Sequence, residues 1–222
     1  KRYSWPIGKI EIFNELENNK RILNFGKNKD KIFSIIKYRD LIQFLNNSVK
    51  KNKFIKKIKI KNSSFYNFIL KEKNDYNLIF NFDDKNKISK NIFSKRIEKD
   101  YNSTAFSSII NHLPCTNNTA QQIFTKFGPL AFLPCSKNKT SIVFSVFDQT
   151  NFFSDSKIKD LILNYNKKYK IKSFSKFEKF KLKSSVLKNY YYENILCFGD
   201  NLHKIHPLAG QGLNMTIRDM KI

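Results

Sequence analysis

Cys197-Phe198-Gly199-Asp200-Asn201-Leu202-His203-Lys204-Ile205-His206-Pro207-Leu208-Ala209-Gly210-Gln211-Gly212-Leu213-Asn214 is the stretch on which the fold turns. It begins in an apolar run, residues 194–198, that reads as a strand. Gly199-Asp200 follows, then a loop with His203, His206 and Pro207. A Gly210-Gln211-Gly212 turn then opens a helix from Leu213 onward. The order is a strand, an acid at its carboxyl end, a loop, and glycines at a helix N-terminus. Open α/β sheets bind ligands at that end of their strands. The first turn of a helix offers unpaired N–H groups and about half a positive charge. Glycine lets a ligand approach that backbone closely. An Asp beside it can accept hydrogen bonds from sugar-type hydroxyls. Such a site suits an electron-rich ring edge joined to a polyol chain.

Outward from this stretch, the chain alternates between strand and helix patterns. Residues 7–13 and 54–60 alternate as strands do, and residues 76–82 form a short apolar strand that ends in an Asp83-Asp84-Lys85-Asn86 turn. Leu41, Leu45 and Val49 recur every four residues, which predicts a helix over 35–49. Four β-like runs, 103–112, 121–127, 129–134 and 140–147, are separated by turn residues and predict an antiparallel sheet. Ser154 and Asp155 can cap a helix carrying Ile158, Leu161, Ile162 and Tyr165. Residues 177–192 read as extended.

The pattern G-D-x-x-H-x-x-x-P-x-x-G-Q-G-x-N, followed by Asp219, resembles the second flavin motif of the aromatic-ring hydroxylase superfamily. The run from His206 to Asn214 is similar to the ubiquinone-biosynthesis hydroxylases in particular. Three weaker stretches agree. Tyr38-Arg39-Asp40-Leu41 resembles the family's Arg-x-x-Leu helix start, whose Arg reaches the cofactor. Residues 127–134 look like its G-P-x-A-x-L-P strand in the substrate sheet. Residues 78–86 resemble its Asp-Gly motif, with Asp84 where Gly is usual and Lys90 where Arg is usual, which leaves a pyrophosphate or NAD(P)H role of Asp83 open. Asn201-Leu202 also replaces the usual small residues.

The resemblance implies an α/β flavin-binding fold with an antiparallel substrate sheet. The sheet region would be residues 1–34 and 96–189, and 35–95 with 190–222 would belong to a discontinuous FAD-binding domain. The cofactor contacts would come from Arg39, Asp200, Pro207, Gly210, Gln211, Gly212, Leu213 and Asn214. Asp200 would hold ribityl or ribose hydroxyls, and Gly212, Leu213 and Asn214 would lie against the pyrimidine edge of the ring. The implied reaction is insertion of one oxygen atom of O₂ into a prenylated phenol, with NAD(P)H as cosubstrate. A cytoplasmic protein at the inner membrane surface, assembled with other ubiquinone-biosynthesis proteins, is implied as well. Because a flavin carries the chemistry, no acid–base pair or nucleophile among the side chains is needed.

None of the six glycines forms the G-x-G-x-x-G of the family's opening βαβ unit. The chain therefore reads as an interior fragment that does not bind FAD tightly alone. The strands at 76–82 and 194–198 would then lack a neighbour, leaving 103–148 the best-ordered part.

Composition supplies the rival readings. The net charge is +24, which points to nucleic acid or an anionic membrane. Of 42 basic residues, however, only Arg2, Arg21, Arg39, Arg96 and Arg218 are Arg, and the rest are Lys. Lys, Asn, Ile, Phe and Tyr share A/T-rich codons, so base composition explains the charge, and a nucleic-acid site would hold more Arg. No nucleic-acid partner is expected, and weak attraction to an anionic membrane surface is a side effect. Cys115, Cys135 and Cys197 form no CxxC and read as buried thiols. His203 and His206 with Asp200 could be metal ligands, but no fourth ligand is evident and no metal is expected. His112 reads as a strand-end residue, and Tyr190-Tyr191-Tyr192 as an edge strand or an aromatic wall. The other open alternatives are another flavoprotein of similar fold, such as a reductase or halogenase, and an inactive remnant.

Overall fold

In the computed structural model the described residues are 4–17, 20–26, 31–58, 64–72, 75–148, 153–205 and 211–221. In chain order they form β1 (Ser4–Ile7), β2 (Lys9–Asn14), β3 (Lys20–Phe25), β4 (Phe33–Ile36), α1 (Tyr38–Lys51), α2 (Ser64–Lys71), β5 (Ile79–Asn81) and α3 (Lys87–Ile92). They continue with β6 (Arg96–His112), β7 (Thr119–Thr125), β8 (Gly128–Ser136), β9 (Lys139–Phe147), α4 (Asp155–Tyr165), β10 (Ile171–Phe174) and β11 (Glu178–Leu187). Last come β12 (Tyr191–Tyr192), β13 (Ile195–Cys197), β14 (His203–Lys204) and α5 (Gln211–Asp219). The fold is mixed α/β, mostly strands, in two compact units. Unit 1 holds residues 1–56 and 102–181, and unit 2 holds 57–101 and 182–222.

Unit 1 is built on the sheet that the runs after residue 103 predict. β6, β9, β8 and β7 are neighbours in antiparallel pairs, with Phe106 opposite Phe144, Phe144 opposite Leu130, and Ile142 opposite Phe132. Alternation puts Leu130, Phe132, Ile142, Phe144 and Val146 on one buried face. α4 covers that face with Ile158 and Ile162. Burying each such side chain is worth ~1.5–3 kcal/mol. As its sequence predicts, α4 starts at Ser154, whose Oγ accepts a hydrogen bond from the Lys157 N–H at 3.2 Å. β2 adds to β7 in parallel and carries β3 on its far side, while β10 pairs with the end of β6. Gly128 opens β8 at φ +131°, and a Cβ there would meet the Ser145 carbonyl oxygen at 2.1 Å, so only glycine fits.

Unit 2 contains a three-stranded sheet in the order β12-β13-β5, with β13 and β5 parallel. The two strands expected to lack a neighbour are thus each other's neighbour: Ile195 sits opposite Ile79, and Cys197 opposite Asn81. Ile88, Phe93, Leu187, Ile195 and Cys197 form its core.

Two local expectations are corrected. The helix starts at Tyr38, not at 35, because Ile35 and Ile36 pair with Trp5 and Ser4 as part of β4. Residues 54–58 are not a strand, and 59–60 lie outside the described residues. Alternation makes a strand only where a ladder partner is available, and residues 54–58 have none. The compact units also divide differently from the sequence boundaries: 35–56 groups with unit 1, and 96–101 and 182–189 with unit 2.

Candidate functional site

The site grows from the carboxyl end of the parallel pair in unit 2. Ile195 and Cys197 are buried, and the ladder is extended one step by the Phe198 N–H, which donates to the Asn81 carbonyl at 3.1 Å. The chain then turns sharply at Gly199, φ +61°. A Cβ at this position would lie 3.3 Å from the Phe82 ring and 3.6 Å from Thr216 of α5. Left-handed backbone and close packing both favour glycine here. The turn, Gly199–Asn201, sends the next two side chains in opposite directions: Asp200 is exposed and Asn201 is fully buried.

Asn201 anchors the turn from below. Its Nδ2 donates to the Asn81 carbonyl at 3.0 Å, to Ser89 Oγ at 3.2 Å and to Cys197 Sγ at 3.3 Å. Its Oδ1 accepts from Arg96 Nη2 at 2.6 Å. Asn81 Nδ2 donates to Ser89 Oγ at 2.8 Å, and Asn86 Nδ2 donates to Asn81 Oδ1 at 2.7 Å. Asn86 in turn caps α3, its Oδ1 accepting from the Ser89 N–H at 2.8 Å. The network joins the ends of β5 and β13, the start of α3 and the start of β6. Buried polar groups satisfied in this way fix one arrangement of their backbone. Burial pushes the Cys197 thiol up to about 11, against the opposing influence of Arg96 and the bonds from Asn201 and Asn81. That thiol is structural.

Asp200 looks outward, into a cavity of about 410 Å³ also lined by Asp84, Arg96, Glu98, Lys183 and Lys204. Its carboxylate makes no hydrogen bond or ion pair with any described residue. Asp83, by contrast, is committed to its own turn, where Oδ1 accepts from the Lys85 N–H at 2.9 Å.

α5 packs on the Asp200 turn. At its second residue, Gly212, a Cβ would meet none of the described residues within 4 Å, so among them its backbone is open to approach. Gln211, Leu213 and Asn214 are exposed around it. His203, on β14, places Nε2 3.4 Å from Asp219 Oδ2 near the far end of α5, a contact not aligned as a hydrogen bond.

The structure thus brings together Asp200 and the start of α5. Arg39 is exposed in the first turn of α1, in unit 1. Pro207 and Gly210, like His206, lie outside the described residues. What sequence reading missed is the support: Asn81, Asn86, Ser89, Arg96 and Asn201. The one local signal was Asn86 three residues before Ser89, the spacing of an N-cap.

The residues suit a flavin. A free carboxylate at a strand end fits a polyol chain. A helix of nine residues whose first turn is open at Gly212 fits the electron-rich edge of a ring.

Known proteins agree at three levels. The profile of the FAD binding domain family matches residues 100–221, more than half of the chain. The FAD-dependent monooxygenase atnA of an Arthrinium species is 47% identical over 38 residues, 17% of this chain and 5% of that protein. The FAD-dependent monooxygenase pyr5 of Aspergillus fumigatus is 40% identical over 43 residues, 19% of this chain and 9% of that protein. The match thus spans under a tenth of these curated relatives. Among solved structures, pqsL of Pseudomonas aeruginosa, a probable FAD-dependent monooxygenase, superposes with a TM-score of 0.66 at 15% identity over 99% of this chain and 67% of that one. A 2-methyl-3-hydroxypyridine-5-carboxylic acid oxygenase gives 0.64 at 12% identity, over 97% and 62%. At such identities the shared property is the fold.

Proposed function

The chain belongs to the FAD binding domain family of flavin-dependent aromatic hydroxylases and monooxygenases, and from that premise we propose that its protein hydroxylates a prenylated phenol in ubiquinone biosynthesis. The observation that carries the flavin half of this reading is the pairing of an uncommitted Asp200 carboxylate with an open Gly212 backbone. The substrate half rests on the His206–Asn214 sequence and its similarity to ubiquinone-biosynthesis hydroxylases.

FAD supplies the activation of O₂, with NAD(P)H as reductant. The residues hold and orient it. Asp200 accepts hydrogen bonds from ribityl or ribose hydroxyls, and Asn201 fixes the turn that aims it. Gly212, Leu213 and Asn214 present the first turn of α5 to the pyrimidine edge, where the helix dipole stabilises negative charge. On the family resemblance, Pro207, Gly210, Gln211 and Arg39 would be further cofactor-binding residues. The antiparallel sheet is the substrate region, and residues 35–95 and 190–222 are the flavin-binding part. A lipid-tailed phenol would be met at an anionic membrane surface, which the excess of Lys favours, in company with other ubiquinone-biosynthesis proteins on the cytoplasmic side. Among the described residues no helix is long and apolar enough to cross a membrane.

The test is Asp200→Ala in the full-length protein. Loss of charge-assisted hydrogen bonds costs ~1.5–3 kcal/mol each, on the order of 10- to 100-fold in affinity. The FAD-to-protein ratio after gel filtration should fall steeply. A variant that keeps its full complement of FAD removes Asp200 from the site. Oxidation of NAD(P)H stimulated by prenylphenols, and not by unprenylated aromatic acids, tests the substrate separately.

A further inference from the structure

Unit 1 contains an amphipathic helix that hides none of its side chains. α1 has no buried residue along its length. At roughly 100° per residue, Tyr38, Leu41, Ile42, Leu45 and Val49 fall on one stripe, of the kind a core-facing helix would bury. Here Leu41 and Val49 are half-buried, while Ile42, Leu45 and Tyr38 are exposed, Tyr38 by 75%. Arg39, Gln43, Asn46, Asn47 and Lys50 take the opposite side. The apolar surface continues past the helix. Asn52 N–H donates to the Val49 carbonyl at 3.1 Å, and Asn52 Oδ1 accepts from the Phe54 N–H at 2.9 Å. These bonds close a turn that presents Phe54, 87% exposed, with Ile55 exposed beside it.

Cations flank this surface at both ends. Lys37 precedes the helix, Lys50 and Lys51 end it, and Lys53 and Lys56 bracket the turn, against Asp40 as the one acid between 37 and 56. Among the described residues none of these five lysines is in an ion pair, whereas Lys179, Lys181 and Lys183 of β11 each lie within 3.0 Å of an Asp carboxylate. The helix dipole accounts for Lys50 and Lys51 but disfavours Lys37 at the positive end. An exposed apolar stripe between unpaired lysines, with aromatic rings at its two ends, matches a helix that lies in the interface of an anionic bilayer. The apolar face enters the headgroup boundary and the ammonium groups meet lipid phosphates and carboxylates. A nucleic acid would engage the lysines and leave Leu45 and Phe54 facing water. With 14 residues, about 21 Å, α1 is too short to cross the ~30 Å hydrocarbon layer and lies along it instead.

We propose that α1 and the turn at Phe54 form a docking face for an anionic phospholipid bilayer, with α1 in the plane of the surface and Leu45 and Phe54 inserted. This assigns an element to the membrane contact of the proposed function and rests on that part of the reading alone. It requires neither a flavin nor a prenylphenol.

The full chain is sedimented with vesicles of phosphatidylcholine alone and of phosphatidylcholine mixed with phosphatidylserine, at near-physiological salt. Binding to the mixed vesicles should be at least about tenfold stronger than to the neutral ones. Leu45→Ser with Phe54→Ser leaves the charge unchanged and alters only exposed positions, yet should weaken binding to the mixed vesicles at least about tenfold. Leu16→Ser, at an 82% exposed position between Glu15 and Glu17, should leave it unchanged. Insertion is read separately. Leu45→Trp should be quenched by brominated phospholipid beyond the unsubstituted chain, whose one Trp is Trp5, and Leu16→Trp should not. Undiminished binding of the double Ser variant, unquenched Leu45→Trp, or a dimer in sedimentation velocity that the double Ser variant dissolves would each overturn the proposal. The readouts need no cofactor, so their failure leaves the proposed hydroxylation standing, and failure of prenylphenol to stimulate NAD(P)H oxidation leaves the docking face standing.

Discussion

Asn201 occupies a position where the flavin motif usually has a small residue, and nothing in its neighbours marks it as buried. Its partners, Asn81, Ser89 and Arg96, are 105 to 120 residues away in sequence. Pattern reading works on contiguous or periodic residues, so Asp200 and Gly212 were legible and the network beneath them was not. The network makes a prediction at this scale. Asn201→Leu keeps the volume but removes the short acceptor of the half-buried Arg96 guanidinium and one donor to Ser89, which keeps its bonds with Asn81 and Asp83, a cost of ~1–2 kcal/mol. The urea midpoint of unfolding should fall accordingly. An unchanged midpoint would mean that the Arg96 and Ser89 contacts contribute nothing to stability.

At the scale of elements, the legible parts were those whose periodicity and capping agree. α4 carries its own N-cap, and β6 to β9 alternate strictly enough to set the register. That register is testable within one strand. Phe144 is fully buried and Phe147 is half exposed, both on β9. Phe144→Ala should destabilise by ~3–5 kcal/mol. Phe147→Ala should cost about 0.5 kcal/mol, as expected for a position away from the core. Thermal or urea unfolding of the two variants compares them, and equal losses would refute the assigned faces. The illegible parts were pairings between distant segments. Residues 35–36 extend a helical pattern by apolar content alone, and only β1 reveals them as part of a strand. Residues 54–58 alternate without a partner. The strands near 79 and 195 were expected to stand alone, because two short apolar runs 116 residues apart give no sign that they pair in parallel.

At the scale of the whole molecule, the composition obscures function more than it reveals it. A charge of +24 carried almost entirely by Lys is a surface property, and the sites described here use it sparingly. Filter binding at near-physiological salt should therefore show only weak oligonucleotide affinity that falls steeply with added salt, as a non-specific polycation does. Tight, sequence-selective binding would contradict this view of the charge. The fold survives the same compositional drift: the chain superposes on pqsL with a TM-score of 0.66 although only 15% of residues are identical.

In the proposed function the open backbone at Gly212 serves a flavin. Gly212→Ala in the full-length protein separates that claim from a structural role. A Cβ there meets none of the described residues within 4 Å, and Ala is favoured over Gly within a helix by roughly 0.5–1 kcal/mol. The melting temperature should hold or rise, while the FAD-to-protein ratio after gel filtration drops well below that of the unmodified protein. Full FAD retention by the stable variant would remove Gly212 from the flavin site.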